Sequence, residues 1–181
     1  MKTVFLVWVA GVIGFFCANG YAEERSDFEK AFIGREWPKT VYIDGSDALT
    51  RLCQYNGGYM SKDDQDAPGF SLTFLECHSD GRWLMLFEAV TGRQGKDAVV
   101  RVIDALLLAA PKRNERYWTN GECELNGSAG NTFIAIAPKH LRREKADWRT
   151  GVRAAWIPNM ETGKNERLST RQVVCWRPTP P

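Results

Sequence analysis

The sequence is poorest in histidine, which occurs only twice in 181 residues, at His78 and His140. Histidine is the commonest acid–base catalyst and a frequent metal ligand, so its scarcity leaves little material for either role. Two histidines with a lysine could cleave a phosphodiester, but His78 falls in an expected turn and His140 in a basic segment. We interpret both as surface residues. The alternative hypothesis is a small hydrolase that uses His78 or His140 as its acid or base.

Several motifs that would define an enzyme or a metal protein are also missing. The sequence has no C-x-x-C pair, glycine-rich phosphate loop, zinc-protease helix motif or dinucleotide fingerprint. Asp63, Asp64 and Asp66 resemble the start of a calcium loop, but Pro68 stands at the fifth ligand position and Leu75 at the bidentate glutamate. We therefore expect a solvated loop there, no metal and no cofactor.

Long apolar runs are absent after residue 18, and the one before it is short. Residues 4–18 are 15 residues, apolar apart from two glycines, and Lys2 is the only charge before them. This is shorter than the ~20 residues that span a bilayer and matches the apolar region of a secretory signal. Gly20 and Ala22 are the small residues that predict cleavage after Ala22. An uncleaved anchor is the alternative.

The cysteines fit an exported chain. Bulky Phe16 before Cys17 does not match the small residue that lipidation requires, so we expect Cys17 to leave with residues 1–22. Four cysteines remain, and in an oxidising compartment these predict two disulfides rather than a zinc site: Cys53, Cys77, Cys123 and Cys175. Three pairings are open. We favour Cys53–Cys77 and Cys123–Cys175, because each pair joins segments expected to be neighbours.

A mature chain of 159 residues is enough for one domain and too short for two. Its formal net charge is about +1, which gives no strong signal for nucleic acid. We expect a tether over residues 23–39 with Phe28, Phe32 and Trp37 as loose anchors. The globular domain would follow at 40–177 and a frayed tail at 178–181.

The pattern of apolar runs and turns predicts an α+β fold that is mostly β, an antiparallel sheet of hairpins with one or two short helices. Residues 40–43 read as a first strand, and Ser46 as the cap of a short helix that includes Cys53 and ends at Gly57-Gly58. The helical stripe in 98–110 is ambiguous, and its β-branched residues favour a strand.

The remaining predicted elements are hairpins and one charged segment. Residues 138–148 read as a charged helix or loop. The expected strand pairs are 71–77 with 82–90, 116–125 with 132–137 around Asn126-Gly127, and 152–157 with 167–176.

Basic and aromatic residues near the end of the chain are the candidate binding residues. Lys139, Arg142, Arg143 and Lys145 precede Trp148, although Glu144 and Asp147 dilute the charge. Such interleaving can bind phosphates and stack on bases or sugars, while a solvated charged face is the plainer interpretation. The candidate binding set is Trp118, Lys139, Arg142, Arg143, Trp148 and Trp176, and buried packing is the alternative for each tryptophan.

One part of the chain resembles a known group. The matching residues are Gly121, Cys123, Asn126-Gly127, residues 134–137, Ala155-Trp156, Thr162-Gly163 and Val174-Cys175. This stretch of 121–175, about a third of the chain, resembles a loosely defined group of uncharacterised small bacterial exported proteins. The basic segment 139–145 lies outside the shared pattern. The resemblance implies bacterial origin and a Cys123–Cys175 disulfide, and it carries no activity.

These observations lead to a hypothesis of a periplasmic or secreted protein that is not an enzyme. It would bind another envelope or secreted protein, or an envelope polymer, through its aromatic and arginine residues. The small hydrolase described above is the alternative, and a purely structural accessory protein is a third.

Overall fold

A computed structural model describes residues 26–60, 69–77, 81–119, 121–128 and 132–177. The predicted fold class is confirmed, since the described chain is mostly antiparallel β with two short helices and two disulfides. In chain order the elements are α1 (Asp27–Lys30), β1 (Glu36–Pro38), α2 (Thr40–Asp44), β2 (Cys53–Met60), β3 (Phe70–Cys77), β4 (Trp83–Gln94), β5 (Asp97–Leu107), β6 (Glu115–Trp118), β7 (Cys123–Leu125), β8 (Ile134–Pro138), β9 (Lys145–Ala146), β10 (Ala154–Asn159), β11 (Lys164–Arg167) and β12 (Val173–Trp176).

The strands form three antiparallel sheets. The five-stranded sheet has the order β1-β5-β4-β3-β2, the four-stranded sheet β11-β10-β8-β6, and the three-stranded sheet β7-β12-β9. Among the described residues, no helix is long and apolar enough to cross a membrane. The signal segment 1–22, the aspartates at 63–66, His78 and the tail 178–181 lie outside the described residues.

The apolar side chains explain how the sheets stack. Successive residues of a strand point to opposite faces, and β8 uses both. Ile134 and Ile136 pack with side chains of the five-stranded sheet, whereas Ala135 and Ala137 pack with the three-stranded sheet. The four-stranded sheet is therefore the middle layer, and the small alanines lie on the face that meets the three-stranded sheet.

The segment before residue 40 is part of the core, and the prediction of a loosely anchored tether is wrong for residues 26–39. Phe32 and Trp37 are buried against the outer face of the five-stranded sheet, and β1 pairs with β5. Helix α1 begins with a capping box between Ser26 and Glu29. The Glu29 carboxylate also accepts the Leu107 N–H at 2.6 Å, which attaches the segment to β5.

The predicted strand at residues 40–43 is wrong, because these residues form helix α2. Gly45 ends this helix in the left-handed conformation at φ 62°. Tyr42 turns inward from α2 and packs edge-on against Trp37, while Ile43 points to solvent. Tertiary packing of one aromatic residue thus overrides the β propensity of the segment.

The predicted helix from Ser46 to Cys53 is also wrong. Only a 3₁₀ turn at Thr50–Leu52 forms, and Cys53 begins strand β2. Gly57 and Gly58, expected to end the helix, lie inside β2 at a bulge. A Cβ on Gly58 would come within 2.4 Å of the Leu72 carbonyl oxygen, so the approach of β2 to β3 requires glycine here.

Both favoured disulfides are confirmed. Cys53 is bonded to Cys77 and Cys123 to Cys175. In each case the two cysteines are directly opposite one another on neighbouring antiparallel strands, β2 with β3 and β7 with β12. Each bond therefore attaches an edge strand to its sheet.

The predicted strand pairs are only partly right in the second half of the chain. The pairing of β3 with β4 and the strand in 98–110 are confirmed. Residues 116–125 divide into β6, which pairs with β8, and β7, which pairs with β12. The strand β10 pairs with β11 and not with β12. Of residues 138–148, Pro138 ends β8 and the rest form a loop that contains β9, so the alternative of a charged helix is wrong there.

Candidate functional site

The basic run lies in the loop between β8 and β10, and Arg177 holds this loop in shape. The Arg177 guanidinium donates to the carbonyls of Leu141 at 2.5 Å and Arg143 at 3.3 Å. The Arg177 N–H donates to the Glu144 carbonyl at 2.7 Å. Residues more than thirty positions apart along the chain are joined by these three bonds. Arg177 was missed in the sequence, because its partners are backbone atoms that no spacing rule identifies.

The loop encloses a groove of about 490 Å³, which we call the basic groove. It is lined by Asn114, Pro138, His140, Leu141, Arg142, Arg143, Lys145, Ala146 and Thr150. The lining offers many N–H donors beside apolar surface, and no Asp or Glu is among its described residues. Such a surface attracts negatively charged groups.

The cations of the basic groove are exposed and form no ion pair within the described parts of the chain. Arg142, Arg143 and Lys145 are exposed. Among the described residues, no carboxylate lies in an ion pair with any of them. Their charge is therefore available to a ligand.

Trp148 lies on a turn built by Asp147, two positions before Thr150 of the groove lining. The Asp147 carboxylate accepts the N–H groups of Arg149 and Thr150 and the Thr150 hydroxyl, each at 2.9 Å. The Thr150 hydroxyl is the largest cause that holds the pKa of Asp147 below its ordinary value. The Trp148 ring is 44% exposed, with the guanidinium carbons of Arg149 and Arg171 at 4.8 and 5.4 Å from its centroid.

Trp176 marks another edge of the same surface. It pairs across the three-stranded sheet with Lys145, whose Nζ lies 5.3 Å from the Trp176 ring centroid. The ring is 38% exposed. The structure thus places Trp176 next to one cation of the basic groove, although the two residues are 31 positions apart in the sequence.

Trp118 does not belong to this surface. Its side chain is only 1% exposed and packs between the four-stranded and three-stranded sheets. The Arg116 guanidinium covers its ring at 3.8 Å and is itself paired with Glu122 at 2.5 Å. The prediction of Trp118 as a binding residue is therefore wrong, because its ring is buried between two sheets and covered by Arg116.

Lys139 and His140 begin the loop. The Lys139 N–H donates to the Asn114 carbonyl at 2.8 Å, which attaches the loop to the turn before β6, but its side chain does not line the groove. His140 does line it. Among the residues that the structure describes, His140 has no hydrogen bond to a carboxylate or hydroxyl that would orient it as a base. His78 is outside those residues, so the pairing of the two imidazoles stays untested.

A second polar cluster lies beneath the N-terminal segment and was missed in the sequence. Glu88 is fully buried, and its carboxylate accepts the Tyr42 hydroxyl and, at 2.8 Å, the Thr73 hydroxyl. The Lys39 Nζ lies 3.2 Å from the same carboxylate. Burial, followed by the charge of Glu88, raises the pKa of Tyr42 above its usual range and also raises that of Tyr55.

This cluster attaches the N-terminal segment to the sheet. Thr73 and Glu88 have no exposed surface, so a ligand cannot reach the hydroxyl or the carboxylate. The charged pair and the tyrosine hydroxyl instead fix where residues 39–42 lie on β3 and β4. The sequence signal for this cluster was Glu88, a single glutamate at an inward position of the apolar strand β4.

No cluster of metal-binding side chains is found within the described parts of the chain. Comparison with protein-family models, with curated proteins and with solved structures gave no match for this chain. The basic groove and its two tryptophans are therefore the geometry on which a function can be argued.

Proposed function

We propose that this chain is an exported binding protein of bacterial origin, without catalytic activity, that binds an anionic group of an envelope polymer through the basic groove. The observation that carries the proposal is the grouping of Arg142, Arg143 and Lys145 around one groove whose described lining residues include no acid. The two buried disulfides are compatible with an oxidising compartment. The apolar segment before residue 22 supports export.

Two exposed tryptophans beside the groove extend the surface. Trp148 and Trp176 can stack on planar or sugar groups next to the bound anion, as amphipathic aromatic residues do at interfaces. The absence of an orienting partner for His140 among the described residues favours binding over hydrolysis. A protein partner that presents acidic residues is the second candidate, and the same surface would serve it.

Sedimentation with isolated envelopes of the producing cell tests the proposal. Mature protein is mixed with envelopes at low salt, and we expect it to sediment with them and to be released as ionic strength rises. The variant carrying Arg142→Ala and Arg143→Ala should remain in solution. A His140→Ala variant should sediment as the unaltered protein does.

The matched control replaces one cation of β5 and one of the turn before it. Lys96 and Arg101 are exposed and have no ion pair among the described residues, so Lys96→Ala with Arg101→Ala removes the same charge elsewhere. Equal losses in both double variants would mean that net charge, and not the groove, causes sedimentation. Loss of sedimentation after the envelopes have been treated with protease would favour the acidic protein partner.

A further inference from the structure

The donors of the basic groove outnumber what a carboxylate can accept. Each guanidinium carries five N–H groups and the lysine three, and Asn114 and His140 add further donors. A carboxylate brings two oxygens and a single charge. A phosphate monoester brings three terminal oxygens and a charge near −2 at neutral pH.

The charges lead to the same ligand. Arg142, Arg143 and Lys145 present three cations to one groove, and none of the described residues that line it carries a carboxylate. A dianion gains more from three cations than a monoanion, because each Coulomb interaction scales with the product of the charges. Guanidinium groups also match the oxygens of a phosphate in a bidentate manner.

The loop geometry favours an anion rather than a cation or a neutral group. Backbone carbonyls of Leu141, Arg143 and Glu144 accept hydrogen bonds from Arg177. Arg177 thus occupies acceptor atoms of the loop and adds a further positive charge behind it. The Asp147 carboxylate is likewise occupied, within its own turn, by Thr150 and the neighbouring N–H groups.

We infer that the basic groove binds a phosphate monoester. This inference rests on the proposed function and names the anionic group that the envelope ligand presents. Arg142 and Arg143 bind the terminal oxygens, Lys145 supplies the third charge, and Arg177 is a positioning residue that keeps the loop in its binding shape. Trp176, next to Lys145, lies beside the bound group.

Isothermal titration with three ligands of one scaffold tests the inference. Glycerol 3-phosphate, glycerol 3-sulfate and glycerate differ in charge and in the number of acceptor oxygens. At pH 8 and low salt, glycerol 3-phosphate should bind at least about tenfold more tightly than either analogue. Equal affinity for glycerate, or no heat with glycerol 3-phosphate at millimolar concentration, would overturn the inference.

Variants locate the binding within the chain. Arg142→Ala with Arg143→Ala should weaken glycerol 3-phosphate binding about tenfold or more, whereas Lys96→Ala with Arg101→Ala should leave it unchanged. Circular dichroism at 25 °C checks that both variants fold. If both bind as the unaltered protein does, the phosphate lies elsewhere and the inference fails.

Further measurements distinguish a lipid phosphate from a soluble or polymer-borne one. They also distinguish failure of the phosphate inference from failure of the proposed function. Vesicles of phosphatidylcholine with phosphatidic acid test a lipid headgroup, and glycerol 3-phosphate tests a soluble or polymer-borne ester. The inference is supported if the protein binds the vesicles or glycerol 3-phosphate and the Arg142/Arg143 variant loses this binding. Groove-dependent sedimentation with envelopes that glycerol 3-phosphate does not compete would refute the phosphate and leave the proposed function intact.

Discussion

Removal of the Cys123–Cys175 disulfide should affect the basic groove, whereas removal of Cys53–Cys77 should not. Cys175 lies at the middle of β12, which pairs with β7 on one side and with β9 on the other. Strand β9 carries Lys145, and Arg177 follows β12 directly. Loosening β12 therefore releases two supports of the groove, while the other disulfide lies on the five-stranded sheet.

The chain-entropy model gives the size of the stability loss. The disulfide Cys123–Cys175 closes 52 residues and Cys53–Cys77 closes 24. The stabilisation is about 4 kcal/mol for the first loop and about 3.5 kcal/mol for the second. Replacement of each pair by alanine should therefore destabilise the protein to a similar extent, although the effects on ligand binding should be very different.

Urea unfolding and ligand titration are measured on the two double-alanine variants. Unfolding is followed by circular dichroism, and glycerol 3-phosphate binding by calorimetry at a temperature at which both variants are folded. We expect binding to weaken at least about tenfold in the Cys123/Cys175 variant and to be retained in the Cys53/Cys77 variant. Equal binding by both variants, or loss only in the Cys53/Cys77 variant, would refute the role assigned to β12.

Three further predictions concern single residues. Tyr42→Phe should flatten the fall of stability above pH 10, because the unfolded chain releases the tyrosine proton there and the folded chain, with its raised pKa, does not. Above pH 10 this proton release lowers the free energy of unfolding of the unaltered protein by about 1.4 kcal/mol per pH unit. Urea unfolding measures this slope, and Tyr59→Phe, at an exposed position, is the control. Gly58→Ala should destabilise by about 1–3 kcal/mol through its clash with a carbonyl of β3, whereas Gly92→Ala, with open space around it, should not. Arg177→Ala should weaken glycerol 3-phosphate binding in calorimetry with little change in circular dichroism, and Arg177→Lys should restore part of it. The reasoning on Tyr42 is contradicted if Tyr42→Phe leaves the pH dependence of stability unchanged. That on Gly58 is contradicted if Gly58→Ala and Gly92→Ala destabilise equally, and that on Arg177 if Arg177→Ala binds glycerol 3-phosphate as the unaltered protein does.

Local patterns explain which parts of the fold could be predicted. The hairpin of β3 and β4 and the strand β5 follow from apolar runs with clear turn signals between or before them. Both disulfides could be predicted once the cysteines were seen to occupy neighbouring segments. Helix α2 could not, because its conformation depends on the contact of Tyr42 with Trp37 and Glu88, which lie on other elements.

The same distinction holds for the candidate site. Arg142, Arg143 and Trp148 were identified because the basic run and its aromatic neighbour are contiguous in the sequence. Asn114 and Arg177 complete the groove from distant parts of the chain, and no local signal connects them to the loop. Trp118 shows the opposite error. The sequence analysis placed it in the candidate binding set, but the fold turns its ring inward and places Arg116 over it.

The place of β12 in the three-stranded sheet also sets an order of assembly. A chain emerges from its N-terminal end, so the five-stranded and four-stranded sheets can form while later residues are still absent. The strand β12 lies between β7 and β9 in its sheet, and Arg177 comes after it. The basic groove can therefore take shape only after residue 177 has emerged, so a nascent chain that ends before this residue lacks the ligand site.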